Sequence, residues 1–237
     1  MNYGSIRSAA LEQANRLICR RAFEAIEPGS LRTFIVVTPH LIHMAPLAAL
    51  NHGPKVIPVF VANGLSQDDL GWLRRMSPGV PIIELQTSFS GNPDSLLTHG
   101  VVIDHLAGAS EAPFCIQDAD CFVLDASFWN DVTIDVREEY ATCVFVREGE
   151  GDRPAFPETF LTVLNSSLML EYRRKFSIRS ESTARPSRRA RTALAGAGYG
   201  EGRVLETLKN YYDTLQQFWV IASSKGFHYR KLAGEGA

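Results

Sequence analysis

Short β-branched and aromatic runs alternate with stretches of helical spacing, and this alternation constrains the fold more than any other feature of the chain. "TFIVV" (33–37) is stopped by "TPH", and "VIPVFVA" (56–62) is stopped by "NGLS". Each run is brief, almost wholly apolar and closed by turn residues, the pattern of a strand covered on both faces. "VPIIEL" (80–85) and "FCIQ" (114–117) repeat it. Between them, "LIHMAPLAALNHG", "SQDDLGWLRRMSPG" and "HGVVIDHLAGA" carry helical apolar spacing, and Ser66 stands where an N-cap would, with Asp68 and Asp69 in the first turn. The expected fold is α/β, a mostly parallel central sheet flanked by helices in a Rossmann-like three-layer sandwich. Such sheets bind ligands at the carboxyl ends of their strands.

With 237 residues and 45% hydrophobic composition, the chain can fill a single large domain spanning 1–237. Within it, residues 1–28 read as an N-terminal amphipathic helix, followed by two halves, 31–125 and 126–237. Docking on the domain is the expected fate of the helix; contact with a membrane surface is the alternative suggested by Arg7, Arg16, Arg20 and Arg21. The stretch near 179–203, rich in Arg, Ser, Ala and Gly, is expected to be a mobile loop that folds over an anionic ligand or stays solvated. "VLETLKNYYDTLQQFWVIASSKG" (204–226) then predicts a long helix through Leu205, Leu208, Tyr212, Leu215, Phe218, Trp219 and Ala222. The formal charge of −2 gives no case for nucleic acid as a partner. Four separated cysteines, Cys19, Cys115, Cys121 and Cys143, fit small buried hydrophobes in a reducing compartment. Without an apolar run of signal-peptide or membrane-spanning type, a cytoplasmic protein is expected.

"PFCIQDADCFVLD" (113–125) ends the fourth strand on two carboxylates, Asp118 and Asp120. Extended backbone would put both side chains on one side, where like charges repel unless a hard divalent cation lies between them. Mg²⁺ and Mn²⁺ accept carboxylate oxygens and share their shells with substrate phosphates, so the pair predicts a nucleoside diphosphate site. With 11 aspartates in the chain, chance alone yields about half an Asp-x-Asp. Its position at the mouth of a buried strand is what carries the inference.

The ordered series "TFIVVTPH", "VIPVFVANGLSQDD", "VPIIEL", "HGVVID", "PFCIQDADCFVLD" and "FLTVLNSSLML" resembles the GT-A fold nucleotide-diphosphosugar transferases over roughly residues 31–176. The resemblance implies a metal-dependent glycosyltransferase that uses a nucleotide sugar, a UDP-sugar being favoured, with an acceptor in glycan or polysaccharide biosynthesis. It also implies that 31–125 is the nucleotide-binding half and 126–237 the acceptor and sugar half. It implies that Asp118 and Asp120 hold Mn²⁺ or Mg²⁺, with Ala119 near the ribose. Thr38, Pro39 and His40 match the turn that receives the base, and Asn63 stands where relatives have a base-facing aspartate. "LNSSLM" is similar to a family motif facing the donor sugar, which points to Asn165 and Ser166. His99, with Gly100, resembles an "HG" turn at the donor, and Asp104 lies one turn on. His228 resembles a late metal-binding histidine of retaining members.

For an inverting reaction a general base is needed, and Asp213 is the candidate because it interrupts an aromatic helical pattern. His43, His52 and His105 lack metal-ligand spacing and are expected to be structural. The alternatives are a sugar-phosphate nucleotidyltransferase, which lacks its glycine-rich basic loop here, and a non-catalytic nucleotide-binding subunit, which the intact acid pair argues against. A Rossmann dehydrogenase is disfavoured because no G-x-G-x-x-G follows the first strand.

Overall fold

A computed structural model describes residues 3–26, 30–87, 96–110, 112–148, 155–199 and 212–232. Helix α1 (Tyr3–Ala25) leads into β1 (Leu31–Val37), a short α2 (Ala45–Ala48), β2 (Val56–Asn63), α3 (Gln67–Met76), β3 (Ile82–Leu85), α4 (His99–Ala109) and β4 (Phe114–Asp118). A 3₁₀ turn (Ala126–Asn130) precedes β5 (Glu139–Cys143), the two-residue strands β6 (Val146–Arg147) and β7 (Phe156–Pro157), and β8 (Leu161–Leu164). The chain closes with α5 (Ser166–Phe176), α6 (Arg188–Gly196), α7 (Gln216–Ser224) and β9 (His228–Lys231).

Among the described residues, seven strands form one sheet in the order β3-β2-β1-β4-β8-β5-β9, and β6 and β7 pair as a separate ribbon. β1 to β4 run parallel; β8 is antiparallel to both β4 and β5, and β9 is parallel to β5. Alternation along β1 explains the layers. Phe34 and Val36 face the core shared with α1, α4, α5 and α7, while Ile35 and Val37 face the core under α2 and α3. Farther across that second face, Cys115, Leu161 and Val163 pack under Val123, Trp129 and Val132.

α1 docks as expected: Cys19 and Phe23 are buried, the Phe23 ring lies 5.0 Å from that of Phe34, and the Asn15 amide both donates to Gln86 O and accepts from its N–H. Cys19, Cys115 and Cys143 are buried free thiols and Cys121 is half-buried and free. α3 carries the expected cap, a reciprocal box between Ser66 and Asp69.

Three expectations need correction. The stretch 41–53 is mostly turns with one four-residue helix rather than a full helix, because Pro46 sits in that helix's first turn and Asn51 takes a left-handed φ of 57°. The expected mobile loop contains α6, capped by Ser187, with Ala190 and Leu194 buried four residues apart. Of the segment 204–226, residues 204–211, with Leu205 and Leu208, lie outside the described residues; from Tyr212 onward helix begins at Gln216, after Leu215 turns left-handed at φ 63°. Among the described residues, no helix is long and apolar enough to cross a membrane.

Candidate active site

β4 ends where a buried glutamine fixes the chain's exit. Gln117 is fully buried, and its Nε2 donates to Ala48 O at 3.0 Å and Cys121 O at 2.7 Å, tying strand, α2 and the following loop together. The chain does not stay extended past Asp118; Cys121 N–H donates back to Asp118 O, closing a turn over 118–121. Asp118 is thus half-buried, Asp120 is exposed, and Ala119 is fully buried, backbone included, in the cluster with Ile35 and Val37, which does not leave it open to a ribose. Burial, followed by repulsion from Asp120, pushes the Asp118 carboxyl up to about 7.

His99, the first residue of α4, has its Nε2 3.7 Å from Asp118 Oδ1, and that buried nitrogen has no hydrogen-bond partner. Burial pulls its imidazole down to about 4, so the ring is neutral near pH 7 and the contact is not an ion pair. Thr38, Pro39 and His40 follow β1 at the same sheet edge, since Val36 pairs with Asp118.

The cation fit follows from these donors. Among the described residues, no three His, Cys, Asp or Glu side chains are grouped to hold a metal ion. A half-buried carboxylate raised by burial and a neighbouring exposed carboxylate suit a hard cation that draws its remaining ligands from phosphate and water.

Several predicted residues are occupied elsewhere. Asn63 is buried, and its amide donates to Leu97 O and accepts from Leu97 N–H, both at 2.9 Å, so it braces the approach to α4 instead of facing a base. Asn63→Ala leaves both Leu97 groups unpaired and is expected to cost about 2 kcal/mol, lowering the Tm by several degrees in thermal melts. Asp104 is buried in a structural contact: its Oδ1 accepts from Ser180 Oγ at 2.8 Å and Ser180 N–H at 3.3 Å, with Arg173 3.9 Å away. Burial is the largest influence on it and raises its carboxyl, with Arg173 and Ser180 opposing.

Asn165 and Ser166 lie at the other end of the sheet. β8 runs antiparallel to β4 and its last residue, Leu164, pairs with Phe114, the first residue of β4. Asn165 caps α5 and donates to Val136 O and Glu139 O, while Ser166 Oγ donates to Ala112 O. His228 is also misplaced for the acid pair. It pairs with Glu139 at the amino end of the outermost strand, three strands from β4, which puts roughly 20 Å of sheet between it and Asp118.

Antiparallel β8 instead brings its beginning to Asp118, whose N–H donates to Phe160 O at 2.9 Å. The β6–β7 ribbon adjoins it, as Glu158 N–H donates to Phe145 O. Arg147 Nε donates to Glu158 Oε1 at 2.7 Å, and its Nη1 lies 3.5 Å from Asp213 Oδ2. Asp213 Oδ1 also accepts from Thr214 N–H at 2.7 Å and Ser182 Oγ at 3.4 Å. Thus Asp213 does join the carboxyl edge of the sheet, together with Arg147, Glu158 and Phe160, which sequence patterning did not single out. Their only signal was charge and aromatic character in segments too short for periodicity.

A segment through Ser180 and Glu181 lies across the start of α4 at Gly100, where any Cβ would stand 2.5 Å from Glu181 N and Cα and from Ser180 O. Thr98 Oγ1 donates to Glu181 Oε1, and Thr183 and Tyr212 exchange backbone hydrogen bonds, holding this strap in place.

Among solved structures, the chain is similar to the glycosyltransferase GlyE of Streptococcus pneumoniae TIGR4, with 12% identity and a TM-score of 0.48 over 86% of this chain and 45% of that one. The apo-form of GlyE gives 10% identity and a TM-score of 0.47 over 85% and 45%. The chain therefore spans less than half the length of these structures. No curated protein matches it. The model of the StrH glycosyltransferase N-terminal domain matches residues 11–169, from within α1 through β8 and into α5, and the chain belongs to that family.

Proposed function

We propose that the protein is a GT-A type, metal-dependent glycosyltransferase that moves a sugar from a nucleotide diphosphate sugar, a UDP-sugar in the favoured form, to an acceptor hydroxyl. The observation that carries this reading is Asp118, a half-buried carboxylate at the mouth of β4, raised by burial and by Asp120 and set against the unpartnered Nε2 of His99. Such a site is unfavourable on its own and becomes favourable once cationic charge enters it.

Asp118 and Asp120 would hold Mn²⁺ or Mg²⁺ through their carboxylates. When bound, the ion supplies electrostatic stabilisation of the departing diphosphate. The turn of Thr38, Pro39 and His40 receives the base. The neutral His99 ring, as the tautomer protonated on Nε2, donates that N–H to a phosphate oxygen. In the transfer, the acceptor oxygen forms a bond to the anomeric carbon as the bond from that carbon to the diphosphate oxygen breaks. The electron pair leaves with the diphosphate, and the acceptor's proton passes to Asp213 as general base. Arg147 and Ser182 hold that carboxylate in place.

Two assays test this. Incubation with UDP- and GDP-sugars plus Mn²⁺ should release nucleoside diphosphate from one donor class, slowly to water and faster with acceptor; no release from either class would contradict the reading. Asp213→Asn is expected to lower kcat by about 10²–10⁴ with little change in donor KM. An unchanged kcat would remove Asp213 from the reaction.

A further inference from the structure

The groove beside Asp118 has the chemistry of a carbohydrate subsite. It holds about 200 Å³ and is lined by Arg147, Glu158, Thr159, Phe160, Asp213 and Gln216, among others. Phe160, which lines it, and the adjoining Phe145 are 45% and 44% exposed, and their rings meet edge to face at 72° with centroids 6.0 Å apart. Two exposed phenyl rings held together beside three charged side chains form a mixed surface that folding alone does not require.

We propose that this groove is the acceptor subsite and that the acceptor presents a pyranose ring to it; the assignment as acceptor rests on the donor reading of Asp118. A sugar ring has a C–H face that packs on an aromatic ring and a rim of hydroxyls that pair with carboxylates and guanidinium, and the groove supplies both. A wholly apolar ligand such as an acyl chain would bury Arg147, Glu158 and Asp213 against hydrocarbon, at prohibitive cost. The volume falls below that of drug-sized pockets and suits about one monosaccharide ring.

The polar groups are positioned in advance. Arg147 is held by Glu158 at 2.7 Å and by Asp213 at 3.5 Å, and Asp213 is held by Thr214 N–H and Ser182, so little order has to be gained on binding. The groove is also placed for transfer. Phe160, whose ring forms part of the platform, accepts the backbone hydrogen bond of Asp118, and Asp213 lines the same space.

The test uses the full chain labelled with 4-fluorophenylalanine, with the Phe145 and Phe160 fluorine signals assigned through Phe145→Leu and Phe160→Leu. Methyl β-glucoside, methyl β-galactoside and methyl β-N-acetylglucosaminide are titrated separately, and UDP with Mn²⁺ is titrated in parallel. At least one glycoside should shift both signals saturably in the millimolar range. The affinity should fall at least tenfold in Phe160→Ala and at least threefold in the shape-conserving Glu158→Gln. Saturable shifts in the absence of nucleotide binding would keep the saccharide groove and sink the donor reading. Nucleotide binding with no glycoside shifting either signal, or with shifts that Phe160→Ala leaves intact, overturns the subsite while the donor reading stands.

Discussion

Asp118→Asn is expected to melt higher than the wild type and to transfer no measurable sugar. The native carboxyl is raised from 3.8 to about 7 by burial and by Asp120. A carboxyl that is harder to ionise when folded binds more protons than its unfolded counterpart between those two values. Stability is therefore lost as pH rises through that window and is not regained above it. At about 1.4 kcal/mol per unit, the penalty near neutral pH is at most about 4 kcal/mol. The isosteric amide carries no charge and escapes most of it, so the Tm at pH 7.5 should rise by roughly 4–8 °C, while at pH 4 the two proteins should melt nearly together. Catalysis goes the other way. Removing a charge aimed at the departing diphosphate should lower kcat/KM by about 10²–10³ or more. Melting curves at the two pH values, alongside a diphosphate-release assay, check both halves. A variant that is less stable at pH 7.5, or fully active, would contradict the assignment.

Gly100→Ala, in α4 beneath the strap, is expected to be the single substitution that most disturbs the strap's seat. The added Cβ would stand 2.5 Å from Glu181 N and Cα and from Ser180 O, all backbone atoms that cannot rotate aside. Relief requires the strap to lift, yet it is anchored by Asp104 on Ser180 and by Thr98 on Glu181. A cost of about 3 kcal/mol follows, and with it a Tm lower by roughly 6–12 °C. Because Ser182 in the strap bonds to Asp213, the same change should speed protease cleavage near 180 and lower turnover. An unaltered Tm would show that the strap moves without resistance.

The parallel half of the fold was legible because each signal is local. β1 to β4 are short apolar runs bounded by turn residues, α3 combines periodicity with a cap at Ser66, and α4 shows its periodicity, its Thr98 cap emerging only in the structure. Asp118 could be found because it ends such a run. The misses have one physical source, which is that strand direction is not written locally. "LTVL" reads equally well upward or downward, and its antiparallel course moves Asn165 and Ser166 away from Asp118 and brings Phe160 to it. Asn63 was legible as an exception at its position but not as a brace, since its partner Leu97 lies 34 residues on. α6 carried readable signals, an N-cap serine and apolar Ala190 and Leu194 four apart, which the surrounding arginines obscured.

The central claim, that Asp118 and its neighbours bind a nucleoside diphosphate through a divalent cation, is tested most directly by calorimetric titration of UDP and GDP, with and without Mn²⁺, on wild type and Asp118→Asn. The account predicts Mn²⁺-dependent binding of one nucleotide, UDP being favoured, with proton release near pH 7 as Asp118 ionises, and loss of that binding in the variant. Binding that is independent of Mn²⁺ and equal in both proteins, or no binding of either nucleotide, would contradict it.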